Sequence, residues 1–408
     1  MILKILTFGL GFFSTITAFV HPGVLINQQQ LDYMKTQTLA GVEPFATAYT
    51  QAKGSRWGSL TYTPLGPPST IQCGSYSQPD KGCTTENSDS EAALTQALLW
   101  YISGNKQYAS NAIKILDAYA TKLTGGHTDS NAPLQSGWAT QKFPAAAEII
   151  YYTNAGWPQA NFKAYQNSLK TQYLPAMNTP TPNDNGNWAM SIVSGKLGIA
   201  VVTEDQALFD SALAQLKEII PSYFYSFKED GTTPKKSSLV SPKWNDKHLV
   251  FGPAIDGICQ ETCRDFQHLQ FGLASCFNGL ETAYIQGRDL YPQLANRLTT
   301  MMEFHTKLIP TGFSSLKAGG VKTKVDKAIC GGKISLTVNP TFEVAYNAYH
   351  NRLGYSLPST WNYLANSVRK IDYTGFMSAL DHTSTFETLH HGNGTATVLH
   401  IVELEKEL

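Results

Sequence analysis

SEAALTQALLWYIS at residues 90–103 and YASNAIKILDAYATKL at residues 108–123 decide the fold class. In the first, Ala93, Leu94, Ala97, Leu98 and Tyr101 recur at helical spacing; in the second, Ala112, Ile115, Leu116 and Tyr119 do. That period lines apolar side chains along one stripe of a helix. A short polar connection between the two makes them a helical hairpin. The same pattern returns at 143–152, 161–173, 188–202, 206–220, 259–286 and 290–308. Alternating β-branched runs are scarce, with 59–63 and 334–338 the candidates. Each helix must bury one face against a neighbour, so stacked hairpins must close on themselves or be capped. An open solenoid calls for a regular repeat, which the sequence lacks. The expected architecture is all-α: a single (α/α) toroid, an incomplete barrel of helical hairpins. The long loops at 54–86, 178–186, 228–255 and 314–337 are expected to line its cleft.

Composition narrows the function classes. The 408 residues are 42% hydrophobic and 11% aromatic, too apolar for a disordered chain. Lys plus Arg and Asp plus Glu are 31 each, so the net charge is zero. A dedicated nucleic-acid binder needs a basic footprint that this balance does not supply. Low charge with 20 Tyr and 7 Trp suits an exported protein that handles sugars. Lys4, an apolar run over 5–13 and the small Ala18 form a predicted secretory signal peptide over 1–18. Residues 19–408 are then a single extracellular catalytic domain, and no other segment is long and apolar enough to cross a bilayer.

Six cysteines in an exported chain read as disulfides. Cys73 and Cys83 enclose a Gly/Ser/Pro-rich loop and are the favoured pair. Cys259 and Cys263 have the spacing of a zinc half-site, but no second half follows, which favours disulfides. Asn393-Gly394-Thr395 is a glycosylation sequon.

Two clusters carry candidate chemistry. The first, Asn183-Asp184-Asn185-Gly186-Asn187-Trp188, precedes a helix and reads either as a cap or as a site. As a site, Asn187 presents an amide and Trp188 a stacking surface for a sugar. The second runs Gln260-Glu261-Thr262-Cys263-Arg264-Asp265-Phe266-Gln267-His268. On a continuous helix, Gln260, Arg264 and His268 share a face, with Glu261 and Asp265 beside it to hold Arg264 or His268. The alternative is an ordinary polar helix face. Trp244 and Lys247-His248 lie in a lysine-rich loop; Tyr346, Tyr349 and His350 lie on a further helix; His390-His391 lacks a carboxylate partner at metal-binding spacing. Nucleotide-loop, serine-hydrolase and zinc-protease motifs are absent.

The chain resembles the alginate-lyase-domain polysaccharide lyases. The resemblance rests on Phe19-Val20-His21-Pro22-Gly23, on Gln135-Ser136-Gly137-Trp138 followed by Ala146-Ala147-Glu148-Ile149, on Asn187-Trp188, and on Gln260 to Asp265 with His268. It implies cleavage of β-1,4-linked polyuronates, mannuronan (alginate) or glucuronan, by β-elimination. The C5 proton is barely acidic, so the enzyme must neutralise the C6 carboxylate, remove that proton and protonate the departing O4. The resemblance casts Asn187 and Arg264 as the groups that hold the carboxylate. In part of the family a tyrosine follows that arginine by one or two helical turns; here those positions are His268 and Phe271, and phenylalanine transfers no proton. The base is therefore His268 or a tyrosine from another segment, with His248, Tyr346 and Tyr349 as reserve candidates; the working expectation is His268 or His248 as base, with a tyrosine as acid. Trp138, Trp188, Trp244, Lys247 and Gln260 are the expected substrate contacts. The resemblance implies no cofactor and no metal. It leaves an acidic polysaccharide as partner of a monomer, without nucleic acid or membrane.

Two other functions compete. An inverting glycoside hydrolase on the same toroid needs two carboxylates, such as Glu261 or Asp265 with Glu343. A non-catalytic polyuronate binder needs none. A polyanionic substrate also demands a local basic surface on a neutral protein. The lysines at 228–247 and 317–333 supply it if both loops border one cleft.

Overall fold

The computed structural model describes residues 18–246, 249–314, 320–375 and 384–392. The expected signal peptide, Lys247, His248, Lys317 and the sequon at Asn393 lie outside or largely outside these residues. The helices are α1 (Gln28–Leu39), α2 (Phe45–Gly54), α3 (Cys83–Ser103), α4 (Lys106–Lys122), α5 (Ala132–Tyr152), α6 (Gln159–Ser168) and α7 (Gly186–Val202). They continue with α8 (Gln206–Tyr223), α9 (Phe227–Asp230), α10 (Phe266–Ile285), α11 (Tyr291–Lys307), α12 (Glu343–Tyr346), α13 (Pro358–Asn366) and α14 (Glu387–His391).

Burial sorts them into two layers. α5, α7 and α10 bury nearly every residue, and α3 most of its length. α4, α8 and α11 bury one stripe and expose the rest. A helix apolar on all sides belongs inside, and an amphipathic one outside. Contacts follow: α3 packs on α5, α5 on α7 and α7 on α10, while α4 covers α3, and α8 covers α7. The seam between α10 and α1 is filled by the short α12 and α14, so the ring lacks full-length helices there. This is the (α/α) toroid expected from the hairpin pattern. Among the described residues no helix is long and apolar enough to cross a membrane.

Strands are few. β1 (Ile71–Cys73) pairs antiparallel with β2 (Asp80–Lys81) and parallel with β3 (His127–Thr128). β4 (Val321–Lys324) and β5 (Lys333–Leu336) form a hairpin. The expected strand at 334–338 is thus present in β5, whereas 59–63 forms turns.

The largest departure is at 259–286. Helix α10 starts only at Phe266, because Asp265 caps it: its carboxylate accepts the His268 backbone N–H at 2.8 Å. Upstream, the backbone of 258–260 is extended beside the end of α8, with Tyr225 N–H donating to Ile258 O (2.8 Å) and Gln260 N–H to Tyr223 O (3.0 Å). Gln260, Arg264 and His268 therefore do not share one helix face.

Cys73–Cys83 is a disulfide, as expected, and Cys263 pairs with Cys330. The even count does not extend to all six: Cys259 and Cys276 are buried free thiols. Burial, with the Glu261 charge beside it, pushes the Cys259 thiol up to about 12, which keeps it an inert hydrophobic group at neutral pH.

Candidate active site

A cleft of 680 Å³ opens where the start of α7 meets the start of α10. Asn187, Trp188, Trp138, Arg264, His268 and Phe271 line it, facing the 75–77 loop. The 183–188 cluster both caps a helix and borders the cleft. Asn185 caps α7, accepting the Trp188 N–H at 3.3 Å, while Asn187, the second residue of the helix, lines the cleft.

Beneath the cleft lies Glu261, which is wholly buried. Asn187 Nδ2 donates to both of its oxygens (2.7 and 2.8 Å), Tyr223 OH donates at 2.8 Å, and Arg264 Nη1 at 3.0 Å. Tyr223 reaches this point because two glycines make way for its ring. A Cβ on Gly186 would lie 1.8 Å from the ring, and one on Gly272 2.5 Å from its hydroxyl. Burial raises the Glu261 carboxyl, and the bonds from Asn187 and Tyr223 with the charges of Arg264 and His268 only partly offset this. A carboxylate accepts three donors that a glutamine, with one carbonyl oxygen, cannot all satisfy. Glu261→Gln is expected to lower unfolding free energy at neutral pH by about 1–3 kcal/mol, the cost of buried donors left unpaired. The raised carboxyl favours the fold below the ordinary carboxylate pKa, and that contribution is lost as pH rises through the raised value. Denaturant unfolding across pH should show the variant less stable and its slope in this window flattened; an unchanged midpoint and slope would remove Glu261 from the site's scaffold.

Arg264 spends one nitrogen on Glu261 and keeps a third of its side chain exposed, so the rest of the guanidinium faces solvent. His268 Nδ1 lies 2.8 Å from both oxygens of Asp265. Asp265 is an acceptor only, so Nδ1 carries the proton and Nε2 is left with its lone pair. Burial raises the Asp265 carboxyl, but the His268 hydrogen bonds and the charges of His268 and Arg264 outweigh it and hold the group below its ordinary value. Asp265 therefore stays ionised and keeps the ring oriented.

Among the described residues, two buried polar atoms of the cleft walls have no partner: Asn187 Oδ1 and Trp138 Nε1. Buried polar groups are normally paired, so an orphan acceptor and an orphan donor in one cleft suit a polar ligand. Asn187 departs from its expected role here. Its donor end is committed to Glu261, and the end left over is an acceptor. Leu134, Trp138 and Phe271, with Trp188 against them, form an apolar cluster separate from the main core. Phe271 closes this floor and contributes no proton.

Other expected residues are placed elsewhere. Tyr349 is fully buried among Phe277, Tyr291 and Tyr355, and Tyr346 stacks between His350 and Trp361. Neither lines the cleft: Tyr346 ends α12 and Tyr349 lies in the π-helical turn over 347–352 that follows it, in the seam of the ring. Gln260 donates its amide N–H groups to Ser222 O and Ser241 O and, with Trp244, lines a separate cavity. Among the described residues, the tyrosine that lines the cleft is Tyr76, 93% exposed on the loop closed by Cys73–Cys83. The disulfide-bounded loop was the available signal for it. His21 and Glu148, from two separate family motifs, meet at 2.7 Å, where Glu148 also accepts the Gly23 N–H. That pair fastens the N-terminal segment to α5 and stands apart from the cleft.

The toroid and its polar, arginine-bearing cleft are the frame of a polysaccharide lyase. The alginate lyase family profile matches residues 42–307, well over half the chain. This protein belongs to the alginate lyase family and is a polysaccharide lyase acting on polyuronate. Among solved structures, a histidine-to-alanine variant of alginate lyase A1-III complexed with tetrasaccharide matches with TM-score 0.59 and 14% identity, covering 95% of this chain and 100% of that one. The apo form of that variant gives 0.52 and 13%, covering 92% and 96%. An alginate lyase from Bacteroides ovatus gives 0.48 and 16%, covering 71% and 84%. At these identities the likeness to the A1-III structures is one of fold. No curated protein sequence matches the chain.

Proposed function

We propose that the protein is a secreted lyase that cleaves β-1,4-linked mannuronan or glucuronan by β-elimination. The observation that carries this is the pairing, in one cleft, of a part-free Arg264 with an Asp265-oriented His268 whose Nε2 has no partner among the described residues. Arg264 holds the C6 carboxylate; a guanidinium matches a planar carboxylate in bidentate fashion and stabilises charge that grows as C5 loses its proton. His268 Nε2 takes the C5 proton. The C4–O4 bond then breaks, the electron pair closes the C4–C5 double bond, and O4 leaves with a proton from Tyr76 or from water. Asn187 Oδ1 and Trp138 Nε1 accept from and donate to sugar hydroxyls, and Trp188 offers its ring face to a sugar. Domain 19–408 acts as one catalytic unit after removal of the leader at 1–18.

The hydrolase alternative loses its support here. Its second carboxylate, Glu343, is bonded to Arg369 at 2.7 Å away from the cleft, and Asp184 is the one carboxylate among the described lining residues. Two are required. The test is an ultraviolet screen against alginate, polymannuronate, polyguluronate, glucuronan and pectate. Unsaturated uronate, absorbing without consumption of water, is the expected product from mannuronan or glucuronan. New reducing ends without absorbance would mean a hydrolase. Binding without any product would mean a non-catalytic member of the fold.

A further inference from the structure

The two lysine-bearing loops are far apart in sequence but share one small hydrophobic cluster. Ile329, Val325 and Cys330, from the β4–β5 connection, pack with Tyr225, Ile255, Ile258, Trp244 and Phe251 from the 225–258 segment. The assembly is fastened to the cleft at two points. The Cys263–Cys330 disulfide joins the hairpin to the residue before Arg264. Ser241 N–H donates to the carbonyl of Asp184, a cleft residue, at 2.7 Å.

The outer surface of this assembly is cationic. Lys235, Lys236, Lys243, Lys322, Lys324, Lys327 and Lys333 are all exposed, and none pairs with a carboxylate among the described residues. The nearby acids are largely engaged: Glu229 and Asp230 bind Arg297, Asp326 accepts the Ala328 N–H, and Glu218 accepts from Ser237 and Ser238. In the hairpin, Lys324 stands directly opposite Lys333. Like charges in that position repel across the strands, a cost that a bound polyanion removes. Lys322 and Lys324 point to the same side, because alternate strand residues do; Ile334, opposite Thr323, is buried on the other.

Between the loop and Gln260 lies a cavity of 200 Å³ lined by Lys235, Lys236, Trp244 and Gln260, among others. A cavity of about 150 Å³ takes up benzene, so this one has room for a six-membered ring. Gln260 is buried, both its donated hydrogen bonds go to backbone carbonyls, and its Oε1 is an acceptor with no partner among the described residues.

We propose that the 233–245 loop and the β4–β5 hairpin form a second, non-catalytic binding surface for an acidic polysaccharide. The Trp244–Gln260 cavity seats one sugar ring, and the flanking lysines take carboxylates of the chain running out of the cleft. The proposal takes its ligand class from the polyuronate function above. It assigns to Trp244 and Gln260 a place in substrate binding outside the cleft where the chemistry occurs.

The test compares the unaltered protein with a variant carrying Lys235→Ser, Lys236→Ser, Lys322→Ser, Lys324→Ser and Lys333→Ser, and separately with Trp244→Ala. Steady-state kinetics on long polymannuronate and polyglucuronate, and on their tetrasaccharides, should show KM for the polymers raised by about 10-fold at low salt. Values for the tetrasaccharides should be unchanged. Elution from the same polymers immobilised on a resin gives a readout without turnover; the lysine variant should leave the resin at lower salt. Equal polymer KM and equal elution salt would overturn the proposal while leaving the lyase function standing. If no polyuronate is turned over, the lyase function fails, and the elution result still decides whether this surface binds polyanions. Melting temperature measured alongside separates lost binding from lost fold.

Discussion

Replacement of His268 by alanine is expected to lower kcat on a polyuronate by about 10²–10⁴-fold, the usual contribution of a positioned general base. The geometry also predicts that the fold survives. The Asp265 carboxylate caps α10 by accepting the backbone N–H of residue 268, a bond that alanine keeps. The imidazole itself is partly exposed, at 28%, so little buried surface is lost. Circular dichroism and the melting temperature should match the unaltered protein while product formation, followed by ultraviolet absorbance, falls away. Activity within a few-fold of the original would remove His268 as base and turn attention to His248 or to Tyr76.

For Arg264→Ala the expectation is a loss of about 10²–10³-fold in kcat/KM, the scale seen when one donor to developing negative charge is removed. The C6 carboxylate gains charge as C5 is deprotonated, so the loss should appear in kcat as well as in KM. Lysine should restore little, since it offers a point charge where a planar fork is needed. Stability should change modestly. The Arg264–Glu261 pair is a third exposed on the arginine side, where solvent screens it, and Asn187 and Tyr223 remain to satisfy Glu261. A rise in KM alone, with kcat intact, would show that Arg264 binds substrate without stabilising the transition state.

Much of this was legible in the chain. The helical period at 93–101 and 112–119 marks real helices, and their apolar content sorts inner from outer ones. Arg264 and His268 stood out as polar groups within an apolar setting, and the structure brings both to the cleft with Asn187. What was not legible followed from long-range contacts. Nothing local to 259–265 announces that its backbone bridges to the end of α8 at Cys259 and then turns over 260–264 before the helix begins, so Gln260 was expected on the wrong surface. Tyr346 and Tyr349 have the chemistry of a proton donor, but packing in the seam withdraws them. Tyr76 gains its place only because the Cys73–Cys83 loop folds over the cleft.

Residue periodicity depends on local geometry, so the sequence alone determined the all-α class, the hairpin order and the chemical types available. Which of those groups meet is a matter of tertiary structure. Tyr223 slots between Gly186 and Gly272, Glu261 gathers Asn187 and Arg264, and Cys263–Cys330 draws a basic hairpin beside them. The zero net charge illustrates the difference. Composition fixes the sum of charges, but only folding sets their separation, and electrostatic attraction depends on distance. A neutral chain can therefore carry a cationic surface for a polyanion.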